Sequence, residues 1–248
     1  MMGLAMLLAA VAFAPGGVAS AKNGNPGIMP PNSKPYGHTY GEWSNRWYQW
    51  AFSMPVTHGN EQANPLFDTT GINCSRNQSG PVFFLAGIFS IFDGAAPKAV
   101  PVDRTECVVP AGKALFFPIL NVEEDNAWNP SNDEAEIRAY LAQNVSQMEN
   151  MTASIDGVAV GNLSDYLVGT DNPLTSVTFP ADNLYDYYGV PVAPGTYSMM
   201  GTAGYYLMLH PLSVGQHVIR FAGSVGDFFS LDITYHLTVS PHAAQEQQ

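Results

Sequence analysis

The chain is 248 residues long, with 46% hydrophobic, 12% aromatic and only 12% charged residues. That much apolar side chain can offset the entropy of ordering, which excludes disorder for most of the length. Nine Lys+Arg against 21 Asp+Glu, a net charge of −12, exclude nucleic acid and anionic membrane surfaces as natural partners, and two cysteines are too few for a disulfide-built miniprotein or a four-thiolate zinc site.

From the N-terminus, Leu4 to Ala14 is an apolar run followed by Pro15, Gly16 and Gly17, and Ala19-Ser20-Ala21 puts small residues where a signal peptidase reads them. Residues 1–21 are therefore expected to be a secretory signal peptide, although no Lys or Arg precedes Lys22. A secreted or periplasmic location follows. Residues 22–40, rich in Asn, Gly, Pro and Lys, read as a linker, 41–240 as a single β-sandwich domain, and 241–248 as a flexible polar tail. No other stretch reaches about 18 uninterrupted apolar residues, so no transmembrane segment is expected after cleavage.

Thr39-x-x-Glu42 predicts a capping box at a helix start. After it, Trp43, Trp47, Trp50 and Met54 share one helical face, Glu42 and Arg46 can pair across a turn, and Pro55 stops the element. The indole stripe reads as core rather than as a sugar-stacking or membrane-anchoring surface. In an exported protein Cys74 and Cys107 are expected to form a disulfide. Pro81 to Ile88 and Ala114 to Leu120 are short apolar runs typical of buried strands.

Behind the second run, Glu123, Glu124 and Asp125 are followed by Asp133, Glu134 and Glu136, which puts 6 of the 21 acids within 14 residues. Hard oxygen ligands at this density could hold calcium, the one cofactor the composition suggests, with Glu123, Glu124, Asp125, Asp133 and Glu134 as ligands, or could supply an acid–base pair. No Asp-x-Asp-x-Asp-Gly loop accompanies them, and acids at a helix start are also favoured by its dipole.

Ser131-x-x-Glu134 predicts a second capping box, opening a helix with Ile137, Leu141, Val145 and Met148 on one side. Asp156-Gly157 predicts a type I′ hairpin. Tyr185-Asp186-Tyr187-Tyr188-Gly189 reads as a loop which, with Tyr206, could bind a glycan or another envelope component by stacking and hydrogen bonding. Tyr205 to Leu209, His217 to Phe221 and Ile233 to Val239 read as a meander, whose last strand alternates apolar and polar residues. His210, His217 and His236 could meet at a metal or lie singly on strand surfaces. Neither Gly-x-Ser-x-Gly nor His-Glu-x-x-His occurs, nor any phosphate or dinucleotide loop. Five Asn-x-Ser/Thr sequons, at Asn73, Asn77, Asn144, Asn150 and Asn162, would carry glycans only in a eukaryotic host. The whole pattern predicts an all-β fold, a sandwich or related roll of about 8–10 strands with two accessory helices.

The strings Tyr40-Gly41-Glu42-Trp43-Ser44 with Trp47 and Gln49-Trp50, Gln78-Ser79-Gly80-Pro81-Val82, Val109-Pro110-Ala111-Gly112-Lys113 leading into Phe116-Phe117-Pro118-Ile119, and Pro211-Leu212-Ser213-x-Gly215-x-His217-x-Ile219-x-Phe221 run across roughly residues 36–239. Together they resemble a family of secreted bacterial proteins that has no assigned activity. This chain departs from it in carrying Tyr48 and Tyr206 where relatives tend to carry Trp. The resemblance implies export and no particular reaction, substrate or cofactor.

Two functions follow as expectations. The first is an exported, non-catalytic β-sandwich that binds a ligand or partner at the cell envelope through Tyr185, Tyr187, Tyr188 and Tyr206. The alternative is a secreted hydrolase or lyase, calcium-dependent or not, that uses the acidic cluster between 123 and 136.

Overall fold

The computed structural model describes residues 25–59, 61–89, 101–227 and 229–241. The expected signal peptide and all but the first residue of the expected tail lie outside them. The first helix, α1 (Tyr40–Phe52), begins at the foreseen capping box: Thr39 Oγ1 accepts from the Glu42 N–H at 3.1 Å, and Glu42 Oε2 from the Thr39 N–H at 2.7 Å. That carboxylate is thereby turned toward the N-terminus, so it does not meet Arg46, whose guanidinium instead lies 5.5 Å from the centre of the Trp43 ring. Trp43, Trp47, Trp50 and Met54 are all buried. Each indole N–H donates at 2.9 Å to a carbonyl of a different segment, those of Pro35, Leu85 and Arg76. The stripe is core, as its spacing implies, and its polar atoms pin three loops to the helix.

A small hairpin follows, β1 (Thr57–His58) and β2 (Glu61–Gln62), and the remaining strands build two sheets. One combines β3 (Val82–Phe84), β6 (Ala114–Asp125), β9 (Leu167–Val168), β10 (Thr175–Phe179) and β11 (Gly195–Leu209) in the order β10-β11-β6-β3, with β9 also on β11. The other combines β4 (Val102–Arg104), β5 (Val108–Pro110), β7 (Met148–Ile155), β8 (Val158–Ala159), β12 (Gly215–Val225) and β13 (Phe229–Ser240) in the order β4-β13-β12-β7-β8, with β5 also on β13. The fold is the expected all-β, sandwich-like class, with three short α-helices among the described residues rather than two.

Cross-strand partners share a face, and the β6–β11 register fixes what each face meets. Phe116, Asn121, Glu123 and Asp125 look toward α1 together with Thr202 and Tyr206. On that side Phe116 stacks on Tyr206 at 5.4 Å, while Thr202 Oγ1 lies 2.8 Å from Ser44 Oγ and donates at 2.8 Å to Asn45 Oδ1. The opposite face carries Phe117, Leu120, Val122 and Glu124 toward the second sheet, where Phe117 stacks on Phe221 at 5.2 Å and Phe221 on Tyr235 at 6.4 Å. Helix α2 (Glu134–Val145) covers the end of this second face, with Ile137 and Leu141 over Gly201, where a Cβ would come within 2.6 Å and 2.9 Å of them. Its cap is Asp133 with Glu136, two residues beyond the expected Ser131 and Glu134, because the Asp133 carboxylate reaches two amides, those of Ala135 and Glu136. Met148 belongs to β7, not to this helix.

The late meander is corrected. β12 and β13 pair along their full length, but β11 lies in the other sheet, so the chain crosses between layers at 210–214. Local alternation fixes which face of a strand is buried, not which neighbour it takes. In β13, Ile233, Tyr235, Leu237 and Val239 are buried as their alternation implies. The Asp156-Gly157 turn has positive φ at both residues, 50° and 77°, as a type I′ turn requires. The stretch read as linker is not free: Ile28 bridges Leu209, Met29 N–H donates to Met208 O at 2.7 Å, and Ile28, Met29 and Pro35 are buried.

Two further ties hold the segment between α1 and β4. Cys74 and Cys107 form the expected disulfide, closing a separation of 33 residues. Arg104, 1% exposed, donates to the carbonyls of Asp68 (2.8 Å), Ala86 (2.6 Å), Pro65 (3.1 Å) and Gly87 (2.9 Å) and to the Tyr235 hydroxyl. A guanidinium presents five N–H groups in a fixed fork, and here all of them are used. Among the described residues no helix is long and apolar enough to cross a membrane.

Candidate functional site

β3 pairs only with Ala114–Phe116. Beyond that point no strand among the described residues takes this edge of β6, and a cavity opens along it. Its back is β6 itself, from Pro118 to Glu124; Trp47 and Tyr48 come from α1, Gly87 to Phe89 from the chain after β3, Tyr140 from α2, and Leu231 from β13. The volume is about 80 Å³, measured as room for the centres of water molecules. A short helix, α3 (Leu184–Tyr187), capped by Asn183, sends Tyr185 into it. Trp128, 46% exposed and 5.5 Å from the Tyr185 ring, stands at its mouth.

The strand β6 runs to Asp125, five residues further than the apolar run suggested, so three acids expected to follow a strand lie on it. The strand period puts Glu123 and Asp125 on the α1 face and Glu124 on the other. Asp125 is 1% exposed; its Oδ1 accepts from the Ala127 N–H at 2.6 Å and the Trp128 N–H at 3.3 Å. The Tyr185 hydroxyl lies 3.4 Å from both Asp125 Oδ2 and Glu123 Oε2. Glu124 accepts from the Asn132 amide, which also donates to Asp125 O at 3.0 Å.

Burial dominates the electrostatics. Glu123 is pushed well above the usual carboxylate range, first by desolvation and then by the charge of Asp125 beside it. The two carboxyls are hydrogen-bonded to each other in a sense that leaves the proton on Glu123. Glu124 is raised to about 7, again by burial first. Tyr140 is raised to about 12 by burial and the neighbouring Glu124 and Glu123, and Tyr48 and Tyr185 are also pushed up. Among the described residues no N–H or O–H donates to Glu123 Oε1, and no acceptor meets Asn121 Nδ2. The Tyr206 hydroxyl, near Asn121 and Ser44, makes no hydrogen bond of good geometry. A buried polar group left without a partner costs about 1–3 kcal/mol, and these three lie along one face of one sheet.

The expected site residues are thus divided. Glu123, Glu124 and Tyr185 line the cavity, with Asp125 bonded to Tyr185 at its floor. Asp133 and Glu134 do not reach it: Asp133 caps α2, and Glu134 pairs with Arg138 at 2.7 Å on the surface. Among the described residues no group of three or more His, Cys, Asp or Glu is arranged to hold a metal ion, so the five-acid calcium set does not assemble. The four tyrosines do not form one contact surface either. Tyr206 is fully buried under α1, Tyr185 is buried at the cavity, and Tyr187, 54% exposed, packs at a tilt against Phe67, 4.6 Å between ring centres, outside it. Tyr188 donates to Phe89 O at 2.9 Å. Sequence reasoning missed Trp47, Tyr48, Asn121, Trp128 and Tyr140; extending the strand past Leu120 would have placed Asn121 and Glu123 under α1.

The histidines are separate. His217 Nδ1 meets Asp156 Oδ2 at 2.7 Å, and its Nε2 lies 3.2 Å from Ser213 Oγ, an order of groups like that of a serine nucleophile's triad. However, Nε2 also faces the Ser213 carbonyl at 3.0 Å. A carbonyl requires a donor there, so the ring binds as an imidazolium clamp between the 210–214 crossover and the β7–β8 turn, and has no lone pair to take a serine proton. His236 is 3.8 Å from Asp103, and His210 is exposed. No protein-family model matches the chain, and no curated protein or solved structure matches it either.

Proposed function

We propose that the protein is an exported binding protein that holds a small ligand in the cavity along the free edge of β6. The observation that carries this reading is the carboxyl of Glu123, buried in an aromatic-walled space with no donor among the described residues for its Oε1. A core has no use for such an atom, whereas a ligand donor would satisfy it. Export, at the cell envelope or outside the cell, is supported by the apolar run before Lys22 and by a disulfide that suits an oxidising compartment. Purified, disulfide-intact protein titrated with small amines, polyols, amino acids and short glycans tests it. One class should raise the melting temperature saturably and shift the emission of Trp128, and Glu123→Leu should abolish both changes. No response to any class would overturn the reading.

The Glu123–Asp125 pair, with Glu124 near 7, favours a second reading: acid–base hydrolysis or elimination on a bound substrate. Asp133 and Glu134 take no part in it. Turnover of an ester or glycan panel that Glu124→Gln removes, with binding retained, would establish it over simple binding.

A further inference from the structure

The cavity also points to a class of ligand. The room open to the centres of water molecules is about 80 Å³, so the enclosed part of a ligand is a small group and not a polymer chain. Among the described residues its lining carries Glu123 and Glu124 and no Lys, Arg or His. Arg104, behind Gly87, directs all of its N–H groups to Tyr235 and to carbonyls in the wall. An anion would meet the two carboxyls, and the donors offered by Asn121 and the phenols carry no charge. A neutral alcohol could donate to Glu123 but would gain no charge-assisted bond. A cation gains that bond and the faces of the surrounding rings.

We propose that the cavity selects a small protonated amine, whose ammonium N–H donates to Glu123 Oε1 while its apolar substituent lies against Tyr48, Trp128 and Tyr185. The proposal rests on the binding reading above and narrows it. Its proton balance is explicit. In the empty cavity Glu123 is a neutral acid; on binding, its carboxyl O–H breaks, the proton leaves to solvent, and the carboxylate pairs with the ammonium. Among the described residues, the groups that face it are Asp125 and Glu124 from β6, Tyr48 from α1, Tyr140 from α2, Tyr185 from α3 and Tyr206 from β11. The phenols already carry their protons at pH 7 and the carboxylates are weaker bases than an alkylamine, so the ammonium keeps its proton.

The test is calorimetric titration of disulfide-intact protein at pH 7 with n-butylammonium and its neutral isostere 1-butanol, with D-glucose as a polyol control. A pH-stat in unbuffered KCl follows the proton. The amine should bind at least about tenfold tighter than the alcohol and release close to one proton per site. Glu123→Gln should remove both the preference and the release. Trp128→Leu, at the exposed mouth, should weaken amine binding severalfold while leaving the proton count intact. Equal binding of amine and alcohol, or binding of glucose alone, would overturn the ammonium assignment and leave the binding reading standing. No binding by any of the three, nor by any class in the wider titration, would remove both.

Discussion

Arg104 and Glu123 are both ionisable groups buried by the same fold, and they are treated in opposite ways. Every N–H of the Arg104 guanidinium meets an acceptor, four of them main-chain carbonyls of the 65–87 segment. Burial pushes the Glu123 carboxyl well above the usual carboxylate range, and no donor among the described residues reaches its Oε1. The same contrast separates α1, where each of the three buried indoles finds a carbonyl at 2.9 Å, from the end of β6, where Asn121 Nδ2 and Glu123 Oε1 find no partner among the described residues. A fully paired buried polar group holds a structure together, and removing it leaves orphans behind. An unpaired one beside a cavity subtracts from stability and is explained by what enters the cavity. Burial alone does not distinguish the two; satisfaction does.

The comparison breaks first at Arg104. Arg104→Met takes the donor from the carbonyls of Pro65, Asp68 and Gly87, while Ala86 and the Tyr235 hydroxyl keep the bonds they make to each other, and is expected to cost about 3–5 kcal/mol in urea denaturation. Arg104→Lys should recover only part of this, since an ammonium offers three donors and no planar fork. A cost below about 1 kcal/mol for the Met variant would show that the carbonyls are served by water.

How much of this was legible in the sequence depends on whether the deciding interaction was local. The α1 stripe and its capping box, the Asp156-Gly157 turn, the burial of alternate residues in β13 and the pairing of the two cysteines follow from spacing or from composition. The assignment of β11 and β12 to different sheets does not, because strand pairing is non-local. Arg104, set among polar residues in Val102-Asp103-Arg104-Thr105-Glu106, gives no hint of burial, since its acceptors come from residues 65–87 and Tyr235. The acids at 123–125 were visible as a cluster but were read past the end of a strand. Once β6 is carried to Asp125, the period of two places Glu123 under α1 and Glu124 on the other face.

The disulfide should rank next. Replacing Cys74 and Cys107 by Ser reopens a 33-residue separation, a loss of roughly 3–4 kcal/mol in the chain-entropy model. Because these cysteines clamp the segment that supplies Leu66 and Gly87 to the cavity wall, ligand affinity should fall with stability. The Arg104 variants should show the same link.

Acidity sharpens the contrast further. The folded pKa of Glu124, about 7, lies above its ordinary 4.5, so its contribution to stability is complete below about 4.5 and is lost as pH rises through about 7. For His217 burial pulls the pKa down, but the hydrogen bonds with Asp156 and the Ser213 carbonyl outweigh it and leave it raised above 6.5. The clamp therefore contributes fully below about 6.5 and fades as pH climbs past that value. Both groups make the urea midpoint fall between pH 5 and pH 8. Glu124→Gln should flatten the lower part of that fall and His217→Ala the upper part, the latter by less because the Asp156 partner is exposed to solvent. A midpoint that rises with pH would contradict both assignments.

The most direct measurement is the equilibrium stability of Glu123→Leu in the absence of ligand, at pH 7. If the carboxyl is kept for a ligand, replacing it with an apolar group of similar size removes an unpaired polar atom, and the variant should be as stable as the native protein or more so by about 1 kcal/mol, while binding is lost. A loss of 2 kcal/mol or more would contradict the account, since it would make Glu123 a structural group like Arg104.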